Sequence, residues 1–61
     1  MINLKNLRKL REKVGLTQTE LAAKVGVATK TIWCWEHRKN RPHRERLKKL
    51  DHILCQLLSS D

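Results

Sequence analysis

TQTELAAKVGVATKTIWCWE, residues 17–36, is the stretch on which the reading of this chain turns. Thr17 and Glu20 stand at T-x-x-E spacing, the capping box of a helix start. The hydroxyl accepts a free first-turn N–H, and the carboxylate accepts the threonine N–H. Leu16 and Leu21 flank that cap at the spacing of a hydrophobic staple. Leu21, Ala22 and Val25 then give one apolar face with a small middle, which a second helix can cross closely. Gly26 supplies a positive-φ corner directly after Val25. Val27 plugs the corner, and Ile32 and Trp35 continue the apolar face. The expectation is a helix over roughly Gln18 to Lys24, a tight turn, and a helix over roughly Ala28 to His37.

At about 100° per residue, Ala28, Thr31, Ile32, Trp35 and Glu36 share one side of the second of these helices. Thr29, Lys30, Trp33, Cys34 and His37 point the other way. The first set faces the domain and the second faces a partner. Upstream, Leu4, Leu7, Leu10 and Val14 form a helical stripe, with Asn3 placed as its N-cap and Gly15 placed to end it. Arg11 falls on the edge of that stripe, where a charge needs a reason. Downstream, His37-Arg38-Lys39-Asn40-Arg41-Pro42 is a polar, basic loop, and Pro42 suits the first turn of a new helix. From 43 to 58, Leu47, Leu50, Leu54 and Leu57 alternate at three and four, with Ile53 and Leu58 alongside and no Gly or Pro between them. This predicts one long final helix. The fold class is all-α: a single domain over 1–61 with four helices, five if the last segment breaks.

Charge and length narrow the function. Fourteen Lys and Arg against six Asp and Glu give a formal +8 in 61 residues, a surplus that favours a polyanionic partner. With no Phe or Tyr and only two Trp, the core is built from Leu, Ile, Val and an indole, too little for a pocket around a large ligand. No small-molecule ligand or cofactor is expected. No apolar run approaches the roughly 18 residues of a membrane span, and there is no room for a signal peptide before Leu4. Cys34 and Cys55 read as reduced thiols in a cytoplasm. Cys34-x-x-His37 and His52-x-x-Cys55 have zinc-like spacing, but the two pairs point apart, so no metal is expected. There is no nucleophile–base pair and no phosphate loop, so the chain is not read as an enzyme.

LTQTELAAKVGV, then Ile32, Trp35 and Glu36, then a basic loop ending in Arg41-Pro42, resembles the phage repressor/Cro type of helix-turn-helix proteins. These are bacterial and phage transcription regulators, and the likeness runs from about Leu7 to about Leu50. It implies a repressor-like domain whose helix-turn-helix spans about 17–37 and binds double-stranded DNA. It also implies a structural ion pair between Arg11 and Glu36. Base readout would come from Thr29, Lys30, Trp33 and Cys34. Lys30 can donate to guanine O6 and N7, and Thr29 can bond or offer its methyl to thymine. Cys34 departs from the family's longer polar residue, and Trp33 either reaches a thymine methyl or a sugar or covers the neighbouring helix. Ala28 departs from the usual Ser or Thr cap. DNA backbone contacts would come from Thr17 and Gln18 at a helix N-terminus, and from His37, Arg38, Lys39, Asn40 and Arg41, with Arg8 or Lys9 as extras. Arg44, Arg46, Lys48 and Lys49 read as a solvated face.

Operators for this motif are usually read by two copies, so a homodimer, at least on DNA, is expected. Ile53, Leu54, Leu57 and Leu58 are its expected interface, while Leu47 and Leu50 lie inside. Two other readings stay open. One is an antitoxin-like or restriction-control protein with a protein partner; the other is a protein–protein adaptor that uses the C-terminal leucine face.

Overall fold

The computed structural model describes residues 4–59, which contain helices and no strand. A 3₁₀ turn at Leu4–Asn6 leads into α1 (Leu7–Lys13). It is followed by α2 (Gln18–Val25), α3 (Thr29–Glu36) and α4 (Arg44–Ser59). The final segment is one helix of 16 residues, as expected where nothing interrupts the leucine stripe. The N-cap expected at Asn3 lies outside the described residues. No helix among the described residues is long and apolar enough to cross a membrane.

α1, α2 and α3 each end in the same backbone device. A residue in left-handed conformation follows the helix, and the next N–H reaches back to a carbonyl five positions earlier. After α1, Gly15 has φ +79°, and Leu16 N–H donates to Arg11 O at 3.1 Å. After α2, Gly26 has φ +87°, and Val27 N–H donates to Ala22 O at 3.0 Å. After α3 the position is held by Arg38 at φ 56°, with Lys39 N–H to Cys34 O at 2.9 Å and Arg38 N–H to Trp35 O at 3.2 Å. The third is unusual, because a side chain there crowds its own backbone.

The core is Leu7, Leu21, Ala22, Val25, Ile32, Trp35, Leu50 and Leu54, with Leu10, Val14, Leu16, Val27 and Ile53 packed around it. α4 packs against both α1 and α2. That corrects one expectation: Leu54, on the helix that α1 and α2 both contact, is fully buried in the chain's own core. Leu54 is therefore not an interface residue. Leu50 is fully buried, whereas Leu47 is only half-buried. Ile53 and Leu57 are half-buried, and Leu58 is exposed.

Candidate nucleic-acid interface

α2 starts on the capping box. Glu20 N–H donates to Thr17 Oγ1 at 3.0 Å, and Thr17 N–H donates to Glu20 Oε1 at 2.9 Å. The bond from the Thr17 backbone, then that from its hydroxyl, holds the Glu20 carboxyl below its ordinary value of 4.5. The carboxylate half of the cap is therefore fully present above pH 4.5 and weakens as acid protonates Glu20 below it, while the half made by the Thr17 hydroxyl does not titrate. Thr17 is thus engaged by its own helix. Among the described residues, the first-turn N–H groups left open toward an anion are those of Gln18 and Thr19.

Two side-chain contacts lay this first turn of α2 across α3. Thr29 Oγ1 donates to Thr19 Oγ1 at 3.3 Å near the start of α3. Gln18 Nε2 donates to Glu36 Oε1 at 2.8 Å at its end. Glu36 is also gripped by Arg11, with Nε at 2.5 Å from Oε2 and Nη2 at 3.4 Å from Oε1. Arg11 spends its remaining nitrogen on Leu16 O at 2.9 Å. The two charged side chains are 11% and 2% exposed, and no buried side-chain N or O among the described residues lacks a partner. Burial of such a pair is tolerable only when its spare lone pairs and protons are satisfied in this way. The result is a clamp from α1 and α2 on the last residue of α3. Gln18 was expected on a phosphate, and one of its two amide protons is instead committed to Glu36; the other remains.

α3 then splits into two faces. Ile32 and Trp35 are buried, and Glu36 is closed off by the clamp. Thr29, Lys30, Trp33 and His37 are exposed, and Cys34 is half-buried at the edge. Ala28 takes the N-cap place without a side-chain bond, at a cost of roughly 1 kcal/mol relative to Ser or Thr. Trp33 is 40% exposed. Its ring stacks on His37, with centroids 3.9 Å apart and planes inclined by 20°. His37 Nδ1–H donates to Trp33 O at 2.9 Å, which fixes the imidazole over the indole. Neither the Gln18–Glu36 bond nor this stack was anticipated. The i, i+4 spacing of Trp33 and His37 is the signal that points to the second.

Arg38, Lys39, Asn40 and Arg41 follow, all exposed. The loop is folded back rather than trailing: Asn40, Arg41 and Pro42 line a shallow cleft with Val27, Thr31, Trp35 and Arg46. Arg46 is more than a solvated charge. Its Nη1 donates to Val25 O at 3.4 Å and lies beside Gly26, so it supports the corner between α2 and α3. Arg8, an extra candidate for phosphate, makes an exposed i, i+4 pair with Glu12 at 3.7 Å, a contact of little energetic weight. His52 and Cys55 lie exposed on α4, where Cys55 Sγ sits 3.9 Å from Asp51 Oδ1.

The arrangement is one helix with its inner face fixed by packing and a buried ion pair, its outer face open, and cations following its end. A helix so presented fits the major groove of B-DNA, where base edges are distinguishable. No curated protein and no solved structure matches the chain. Residues 7–54, most of the chain, match the sequence model of the helix-turn-helix family. The chain thus belongs to the helix-turn-helix family, as a DNA-binding domain of the kind found in transcriptional regulators.

Proposed function

We propose that this domain is a sequence-specific repressor of Cro type, binding a palindromic operator as a homodimer. What supports this most is the outer face of α3: apart from the Thr29–Thr19 bond to α2 it is open, it carries Lys30 and Trp33 outward, and Arg38, Lys39 and Arg41 follow it. Lys30 donates to a guanine edge, Thr29 and Cys34 supply small contacts beside it, and Trp33 lies against the same groove. His37, Arg38, Lys39, Asn40 and Arg41 hold the phosphates on one side. Thr17, the free amide proton of Gln18 and the first-turn N–H groups of α2 hold them on the other. One such domain covers one half-site, so a second copy is needed to read a palindrome. With Leu54 withdrawn into the core, the dimer contact reduces to Ile53, Leu57 and Leu58 on the last turns of α4.

Selecting preferred sites from a random duplex library, with sedimentation of the selected complex, tests this reading. An inverted repeat with half-sites about one helical turn apart, carrying two chains, is expected. A single half-site carrying one chain would refute the dimer. Leu57→Lys with Leu58→Lys should give a folded monomer that binds the repeat much more weakly. Wild-type affinity in that variant would remove this end of α4 from the interface.

A further inference from the structure

The outer face of α3 is short of the side chains that read bases by paired hydrogen bonds. It carries no Arg, Asn or Gln between Thr29 and His37. The Thr29 hydroxyl already donates to Thr19, Cys34 offers only a weak S–H at the edge, and Lys30 is the one strong donor. What the face presents instead is an indole, 40% exposed and stacked on His37. The imidazole is hydrogen-bonded to the Trp33 carbonyl, which sets its ring against the indole before any ligand arrives. An ordered apolar surface with Lys30 on one side and Arg38 and Lys39 on the other is matched to an apolar feature inside a polyanion. In the major groove that feature is the C5 methyl group of a pyrimidine, the only apolar group on the base edges.

We infer that the Trp33–His37 stack is a preformed reader of pyrimidine C5 methyl groups, so each half-site carries a thymine or 5-methylcytosine against Trp33. Trp33 makes the contact, and His37 is a positioning residue. The inference rests on the DNA-reading role proposed above and adds what is read: a methyl group as well as hydrogen-bonding edges.

The test starts from the site selected by the full chain and replaces each thymine in turn by deoxyuridine, which removes only the methyl. One position per half-site should weaken binding about fourfold, the scale of burying one methyl-sized group. That loss should vanish in Trp33→Ala, whose fold is checked by its helical signal and melting temperature. His37→Ala should shrink the thymine-over-uridine ratio, and His37→Phe should keep the ratio. Placing 5-methylcytosine opposite guanine at the sensitive position separates the two sources. Recovery relative to cytosine supports reading of the methyl in either base, and no recovery supports reading of thymine alone. Binding within twofold at every uridine position, with sequence preference intact, would overturn the methyl reader and leave the DNA-reading role standing. Loss of any preference over random duplex would overturn both.

Discussion

Trp33 and Trp35 are two residues apart on one helix, and the structure treats them oppositely. Trp35 is 4% exposed and part of the core; Trp33 is 40% exposed and touches an imidazole. Two steps of about 100° separate them by most of a half-turn, so residue type says little and angular position says nearly everything. The inner face is specified by the domain: Ile32 and Trp35 fill the core, and Glu36 is held by Arg11 and Gln18. Among the described residues, the outer face is bonded to another helix through Thr29–Thr19, and that bond does not dictate Lys30, Trp33 or His37. Those residues are left to be set by what the helix meets.

The contrast breaks first, if it breaks, at the tryptophans. Trp35→Ala should cost about 3–5 kcal/mol, enough to unfold a domain this small. Trp33→Ala should cost under about 1 kcal/mol, the scale of one aromatic stack. Thermal unfolding followed by circular dichroism checks both, and similar losses would erase the distinction between the faces.

Next in size is the clamp. Glu36→Ala leaves the Arg11 guanidinium buried without its acceptor and should cost about 3 kcal/mol, a fall in melting temperature of about 12 °C or more. Replacing both partners by apolar residues, Arg11→Met with Glu36→Leu, should recover much of that loss. An unchanged melting temperature for Glu36→Ala would mean that the pair does not fix α3.

On the outer face the effects move from stability to binding. Lys30→Ala should weaken the preferred site by about 1–3 kcal/mol and relax preference at one base position. Arg41→Ala should instead weaken preferred and random duplexes alike and reduce the salt slope by about one unit. Equal losses for Lys30→Ala on both duplexes would take Lys30 out of the readout.

The smallest effect sits where the two faces end. Gly15 and Gly26 close α1 and α2 in left-handed geometry, and Arg38 closes α3 in the same geometry. An arginine there stores roughly 1–2 kcal/mol of strain that glycine avoids, part of it offset by glycine's greater loss of backbone freedom. Arg38→Gly should raise the melting temperature by several degrees, about 4–8 °C per kcal/mol, while weakening binding to every duplex. A variant no more stable than wild type would show that the left-handed arginine carries no strain.

Much of this was legible in residues 17–36. The capping box, the Gly26 corner and the inward set Ile32, Trp35 and Glu36 follow from local spacing, and local spacing is what a sequence states directly. The burial of Leu54 does not follow, because a leucine stripe shows that a face is covered without showing by what. α1 and α2 both reach α4, and that depends on how three helices cross. Gln18 read as a phosphate ligand because its position at a helix start is visible, whereas the approach of Glu36 from another helix is not. The end of α3 was hidden for a simpler reason. The turn uses Arg38 where the usual glycine signal is missing.

Recognition differs from plain attraction only if the outer face of α3 reads sequence rather than merely offering charge. The most direct measurement compares the affinity of the full chain for its selected duplex and for a shuffled duplex of equal length, at about 150 mM salt. A preference of at least about a thousandfold is expected for specific recognition. Equal affinities that both fall steeply with salt would contradict it, leaving a basic helical domain whose attraction to DNA is charge alone.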